Sequence, residues 1–433
     1  MCAGAVHSAP MGYTPHRDEG VVAALDVGTA RVACLIARLD GHGGAEVLGA
    51  AQQESQGVKA GLVADLPAAQ GAVRRAVHTA EGAAAGALGG YPLRDVILAT
   101  PALYSQTVRA QGWSAPAPGR TVTQADATRA LADAQDAALK ALTPGACELI
   151  HAIPAAWALD GHAVAGPVGL AGQDLCAEVD LVTAEGGPVR SLAAAVGAAH
   201  LTIAHMALGP YAAGLACLAL DEADLGATVI DLGAGTTSFA TFAAGTMVFS
   251  GAVALGSGHI TADIARGLTT PRIEAERIKV LYGSAMTGAF DNGEMLEVPP
   301  LGEEGAEPRR VARSVLIGII QPRAEEILEA VRAQLSDAGV SAGRVVLAGG
   351  GAQLPGMREL AQHVLDRPVR LGRPLVPQGL PDAARGPGFA VAAGLLAYLT
   401  ARAGTEAPAA VAAQAAQSQG WAARAWAWLK ENW

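Results

Sequence analysis

No Gly-x-x-x-x-Gly-Lys-Ser/Thr run occurs anywhere in the 433 residues. The nucleotide loop that must lead into a helix N-terminus is therefore excluded. Cysteine is scarce: Cys2, Cys34, Cys147, Cys176 and Cys217 are scattered without zinc spacing, and they read as the buried thiols of a reducing compartment. Basic charge is outweighed, 30 Lys and Arg standing against 40 Asp and Glu, and no basic stripe appears, which argues against nucleic acid as a partner. Long apolar runs are missing too. Leu201 to Leu220 comes nearest to a membrane span, but His205 and Pro210 interrupt it, so a short strand and then a buried helix starting near Pro210 are expected. Residues 1–20 carry charges and no apolar core; they are no signal peptide and read as a disordered tail.

What the chain does have is a repetition. Leu25-Asp26-Val27-Gly28-Thr29-Ala30-Arg31 returns as Ile230-Asp231-Leu232-Gly233-Ala234-Gly235-Thr236-Thr237, each time after a run of β-formers. Both copies put an Asp at a strand end before small residues and a hydroxyl. A backbone needs this to approach a phosphate while a carboxylate faces its metal. Neither copy leads into a helix: 31–39 and 45–52 read as strands after the first, 238–242 and 246–250 after the second. Each loop is thus predicted to be a β-hairpin turn, with one nucleotide held between two related halves. Asp26 and Asp231 are the expected Mg2+ groups, acting through water.

A third element, Val345-Val346-Leu347-Ala348-Gly349-Gly350-Gly351, is a buried strand running into glycines, followed by a helix near Met357. Glycines there let the backbone lie against a flat ligand such as a purine. Thr270-Pro271 is expected to open a helix that carries Glu276 and Lys279 on one face and stops at Gly283. By itself that pair reads first as a solvated i,i+3 ion pair; beside the loops a ribose contact becomes the better reading.

This order of parts resembles the actin, Hsp70 and sugar-kinase ATPase superfamily and, more narrowly, the FtsA family of cell-division proteins. The narrower resemblance rests on Leu25 to Thr29, Gly256-Ser257-Gly258-His259-Ile260-Thr261-Ala262-Asp263-Ile264-Ala265-Arg266-Gly267-Leu268, Ala275-Glu276-Arg277-Ile278-Lys279 and Gln321-Pro322-Arg323-Ala324-Glu325-Glu326-Ile327-Leu328. It rests also on an insert that starts with a capping-box helix at Thr123-Gln124-Ala125-Asp126 and contains Pro167-Val168-Gly169-Leu170-Ala171-Gly172. It implies an α/β, two-lobed actin-like ATPase fold with an FtsA-type 1C insert and a C-terminal amphipathic helix. The expected divisions are subdomain 1A at 21–101 and 185–225, an SHS2-like 1C at 102–184, 2A at 226–269 and 341–400, 2B at 270–340, a linker at 401–418 and the helix at 419–433. The resemblance further implies ATP and Mg2+ as cofactors, with Gly28, Thr29, Ala30, Arg31, Gly233, Ala234, Gly235, Thr236, Thr237, Gly256, Glu276, Lys279 and Gly349 to Gly351 around the nucleotide. It implies polymerisation with other copies, docking of the FtsZ C-terminal peptide on 2B through Arg323, later division proteins on 1C, and a place on the inner face of the cell membrane at the division site. Subdomain 2B is expected to include an exposed turn at Asp291-Asn292-Gly293-Glu294 and a helix after Pro322, and Arg323 reads equally as a helix-surface arginine paired with Glu326. A pilus-assembly relative is the strongest alternative within the superfamily, and an Hsp70-like ATPase and a sugar-kinase-type ATPase are the others.

Three positions depart from the family pattern. Ala30-Arg31 stands where Ser-Lys is usual, losing a hydroxyl and keeping the cation. Gly209 stands where Hsp70-like ATPases place a Glu before the Pro, so no side chain positions the attacking water and hydrolysis is expected to be weak. Ala348 replaces a hydroxyl residue ahead of the adenosine glycines.

Four of the six Trp crowd into the last thirteen residues. At about 100° per residue, Trp421, Trp426, Trp428, Leu429 and Trp433 share one arc of roughly 160°, although Asn432 falls inside it, and Arg424 and Lys430 lie opposite. Such a helix is too short to cross a bilayer and is suited to lying in its interface. Docking on the protein's own core is the other reading, which the Ala- and Gln-rich stretch before it disfavours.

Overall fold

The computed structural model describes residues 20–40, 44–90, 92–141, 146–288, 293–302, 307–340, 343–377 and 379–404. The expected N-terminal tail, most of the linker, the Trp-rich helix and Asp291-Asn292 of an expected turn lie outside them.

Strands β1 (Val21–Val27), β2 (Arg31–Leu39) and β3 (Ala45–Glu54) form a meander. The small hairpin β4 (Val58–Lys59) and β5 (Leu62–Val63) follows, then α1 (Leu66–Leu88) and β6 (Asp95–Thr100). Asp65 caps α1 by accepting the Ala68 N–H, and Pro67 sits in the first turn, where its missing donor is harmless. The insert comprises β7 (Ser105–Ser114), α2 (Gln124–Ala141), β8 (Cys147–Leu159), β9 (His162–Val164) and β10 (Leu175–Glu185). The chain then returns through α3 (Gly186–Gly197), β11 (Thr202–Leu208), α4 (Gly209–Cys217) and α5 (Leu220–Leu225). The second lobe repeats the plan. It has β12 (Ala227–Leu232), β13 (Thr237–Ala243) and β14 (Thr246–Val253), then α6 (Ser257–Gly267), α7 (Arg272–Tyr282), β15 (Met295–Val298), β16 (Arg309–Ala312), α8 (Arg313–Asp337), β17 (Arg344–Ala348), α9 (Met357–Leu365), β18 (Val369–Leu371) and α10 (Ala390–Gly404).

The duplication read from the loops extends to whole sheets. The first sheet is ordered β11-β6-β1-β2-β3 and the second β18-β17-β12-β13-β14. In both, the loop-bearing strand pairs antiparallel with the next strand and parallel with a later one. α1 and α3 cover one face of the first sheet, and α6 to α9 cover one face of the second. α4 and α10 fill the space between the sheets, in a core that joins Val22, Ala24 and Ile97 to Val229, Ala240 and Val346. The insert forms its own sheet, β7-β10-β8-β9, backed by α2. It is pinned to the body where buried His151 of β8 accepts the Leu208 N–H through Nε2 at 2.9 Å.

Four details differ from the sequence reading. The stretch 341–400, assigned to the second lobe, ends in α10, which packs on β1, β2 and β6 of the first sheet as well as on α4. The helix expected after Pro322 begins nine residues earlier, at Arg313, and runs through that proline. The carbonyl of exposed Gly318, which Pro322 leaves without its usual donor, sits on the outer side of the helix. Thr270 does not cap α7, because its hydroxyl donates to the Pro299 carbonyl at 2.7 Å and Pro271 becomes the cap residue. Cys147 is half-buried, unlike Cys34, Cys176 and Cys217.

The α4–α10 contact is so close that a Cβ on Gly394 would lie 1.7 Å from the Ala212 carbonyl oxygen. Backbone cannot yield as a flexible side chain does. Gly394→Ala is therefore expected to destabilise the protein by about 3 kcal/mol, seen as an earlier denaturant midpoint, with the far-UV spectrum of the folded state unchanged.

Candidate functional site

The two repeated loops are hairpin turns, as expected. Val27 faces Val32 and Leu232 faces Thr237 across their ladders, so each turn holds four residues, Gly28 to Arg31 and Gly233 to Thr236. A Cβ on the first glycine of either turn would crowd the carbonyl oxygen three residues on, Arg31 at 3.0 Å and Thr236 at 2.7 Å. Asp26 and Asp231 hold the same place, one residue before the strand end.

The fold brings these loops against each other across the cleft. A Cβ on Gly235 would sit 2.5 Å from Thr29 Oγ1 and 2.9 Å from the Ala60 nitrogen. Both carboxylates are part-buried, walled by protein yet still reached by solvent. Burial, with the negative charge of Asp231 added, pushes Asp26 up to about 7, and burial pushes Asp231 up to about 6. Each lobe thus contributes one carboxylate that is short of compensating charge, which is the environment a divalent cation relieves. No cluster of three or more His, Cys, Asp or Glu that could hold a metal exists among the described residues. The fit to Mg2+ rests on the two carboxylates themselves, because Mg2+ takes one or two of them and completes its shell with phosphate oxygens and water.

The second lobe lines the rest of the cleft. Ser257 N–H and Oγ–H both donate to the Gly233 carbonyl, at 2.9 and 3.1 Å, and Gly258 N–H donates to Ala234 at 2.8 Å. These bonds tie the second loop to the start of α6, where Gly256 packs on the carbonyls of Gly233 and Ala234. Gly349 has a φ of 83°, and a Cβ there would lie 2.4 Å from Asp231 Oδ1. Gly349 and the second carboxylate are therefore packed as one unit. Gly351 stands against Leu232 and Ser257.

On α7, Lys279 is buried and donates to Glu276 at 2.7 Å, Thr261 Oγ1 at 2.8 Å and the Ser257 carbonyl at 3.3 Å. Burial, which Glu276 only partly offsets, lowers the Lys279 pKa. For Glu276 burial acts upward, but Lys279, Thr261 and Arg31 together bring it below the ordinary value. Arg31 thus faces this pair from the first lobe while its guanidinium donates to Gln52 at 3.0 Å. The Glu276–Lys279 ion pair exists, and it belongs to the cleft wall. Thr261 is the contact the sequence reading missed; it lies in the quoted glycine-to-leucine run, and only the packing of α6 on α7 reveals its use.

Arg323 stands apart, bridging α8 to α6. It donates to Asp263 at 2.5 Å and to Glu326, and the Asp263 hydrogen bond raises its pKa. An acidic ligand there must exchange with carboxylates already in place. The seven residues from Trp421 to Trp433 that the sequence reading expects at the membrane lie outside the described residues, and no described helix is long and apolar enough to cross a membrane.

Two sheets of one topology, each presenting an Asp-bearing hairpin to a shared cleft, define an actin-like ATPase fold. The family model described as "Cell division protein FtsA" matches residues 228–394, and "SHS2 domain inserted in FTSA" matches 107–183. The chain belongs to the FtsA cell-division protein family. It is 37% identical over 405 residues to the cell division protein FtsA of Rhizobium meliloti (strain 1021), covering 89% of this chain and 88% of that one. Against the FtsA of Escherichia coli (strain K12) it is 31% identical over 392 residues, covering 88% and 90%. Among solved structures, the PilM-PilN type IV pilus biogenesis complex matches with a TM-score of 0.62 and 18% identity, over 89% of this chain and 99% of that chain. That likeness concerns the fold alone.

Proposed function

We propose that this chain is an ATP-binding adaptor of cell division. It holds ATP with Mg2+ between its lobes, polymerises on the inner face of the cell membrane, takes the FtsZ C-terminal peptide on subdomain 2B and meets later division proteins through 1C. The observation that carries the nucleotide reading is the pairing of two equivalent Asp-bearing hairpins, one per lobe, in van der Waals contact at Gly235 and Thr29. Membership of the division family supports the rest. Co-sedimentation with liposomes tests it: the full chain with MgATP is expected to carry FtsZ to the pellet, and residues 1–404 are not. Intact protein on liposomes that recruits no FtsZ overturns the adaptor reading.

ATP acts here as a clamp between lobes and at most a slow fuel. Gly209 opens α4 with no side chain to orient a water, although a Cβ there would meet only Thr100 O at 3.7 Å and Val391 Cγ1 at 4.0 Å. The position is empty by residue choice, not by crowding. Turnover of MgATP below about 1 per second is expected, and a rate in the range of roughly 1 to 1000 per second, usual for metabolic enzymes, counts against it.

A further inference from the structure

Hairpin β4–β5 belongs to neither phosphate loop, yet it ends between them. Its turn residues Ala60 and Gly61 both have positive φ, 46° and 79°, the paired left-handed geometry of a two-residue turn that suits Gly and is unusual for Ala. Its base is fixed to the start of α1, where Ala64 and Asp65 N–H both donate to the Gly57 carbonyl at 2.7 and 3.0 Å. Val58 is buried in the first-lobe core. The tip is held on two sides: a Cβ on Gly235 would lie 2.9 Å from Ala60 N, and a Cβ on Gly61 would lie 2.8 Å from Pro101 Cβ.

The hairpin and the segments joined to it carry donors that the fold does not use. Lys59 is exposed, and no hydrogen bond or ion pair engages it among the described residues. The Ala60 N–H has no backbone acceptor among them either. Three buried side-chain atoms lack a partner among the described residues, and two of them, Ser55 Oγ and Thr100 Oγ1, flank the hairpin. Ser55 donates its N–H to Ala30 of the first loop at 2.9 Å, and Thr100 precedes the Pro101 on which Gly61 rests. Buried hydroxyls without partners are uncommon and mark places where a polar ligand or its water sits.

Direction along the cleft follows from the second loop. Its Gly233 end faces Gly256, Ser257 and the adenosine glycines, and its Gly235 end faces Thr29 and Ala60. A nucleotide laid along it has its nucleoside at the first end and its last phosphate at the second. We propose that the β4–β5 hairpin is a third phosphate-contacting element, in which Lys59 and the Ala60 N–H meet the terminal phosphate of a nucleoside triphosphate and make the site prefer ATP to ADP. This rests on the reading that the cleft binds MgATP. A flexible ammonium beside a backbone amide suits a terminal phosphate, which carries more charge than a bridging one.

Equilibrium titration of the full-length protein with MgATP and with MgADP tests it, using the parent, Lys59→Ala and Lys59→Arg. Lys59→Ala is expected to weaken MgATP by about tenfold and MgADP by less than about twofold, with an unchanged melting temperature because Lys59 holds nothing in the fold. Lys59→Arg keeps the cation and is expected to keep most of the preference for ATP. A parent that binds both nucleotides, with Lys59→Ala losing both equally or losing neither, overturns this proposal alone. A parent that binds neither overturns the reading of the cleft and this proposal with it.

Discussion

Asp231→Asn is expected to weaken MgATP binding by roughly a hundredfold, about 3 kcal/mol, while making the nucleotide-free protein more stable above pH 7. The two effects have one cause. Asp26 and Asp231 face each other from opposite lobes, and burial raises their pKa values to about 7 and about 6 from an ordinary 3.8. A carboxyl whose folded pKa lies above its unfolded value contributes its stabilisation in full below the unfolded pKa. That contribution is lost as pH rises through the folded value. The free protein therefore loses stability between about pH 4 and pH 7 from this pair. For Asp231 the loss is at most about 3 kcal/mol, from roughly two pK units at 1.36 kcal/mol each. Asn keeps the shape against Gly349, removes that charge and removes the repulsion on Asp26. Denaturant midpoints of the apo protein at pH 5 and pH 8 are expected to differ less in the variant than in the parent, the difference that remains coming from the buried Asp26. A variant that binds a fluorescent ATP analogue as tightly as the parent shows that the carboxylate does not serve the nucleotide.

The parts of this site that were legible in the sequence are those where one short segment specifies both strand and turn. Leu25 to Arg31 and Ile230 to Thr237 encode a β-run, a carboxylate and a small-residue turn without any distant help, and the structure gives them the same register. The two-lobed fold follows from that duplication. What stayed hidden depends on tertiary partners. α10 is apolar on nearly all sides, so its pattern cannot say which sheet it covers. Its place was set by Gly394 fitting against Ala212. Pro322 was read as a helix start because proline usually is one, whereas the apolar face that includes Leu316, Ile317 and Ile320 carries the helix through it. Lys59-Ala60-Gly61 is an ordinary turn sequence, and only its seat against Gly235 makes it part of the cleft. Arg323 shows the converse. The family resemblance implied a ligand contact there, and the structure adds a partner, Asp263, that lies sixty residues away in sequence.

Replacing both Trp426 and Trp428 by Glu is expected to move the protein from membranes to the soluble fraction, with ATP and FtsZ binding intact. Residues 419–433 lie outside the described structure, so the expectation rests on their sequence. On a helix, Trp421, Trp426, Trp428, Leu429 and Trp433 share one arc of about 160°, and the polar arc carries Arg424 and Lys430 against Glu431. Each Trp moved from water into the interface contributes about 2 kcal/mol. Removing two takes away about 4 kcal/mol, a change of roughly a thousandfold in partitioning. Two new carboxylates beside an anionic leaflet add to that loss. Basic residues near such a surface are worth about 1 kcal/mol each, and Glu431 offsets part of it, so neutralising Arg424 and Lys430 is expected to do much less. The order of these effects separates burial from charge attraction as the force that holds the protein on the membrane. Flotation with liposomes of mixed zwitterionic and anionic lipid reads both variants in one experiment. If the double Glu variant still floats, the Trp arc is not the anchor. If the charge variants detach as completely as the Trp variants, attraction to anionic lipid dominates and the hydrophobic account is wrong.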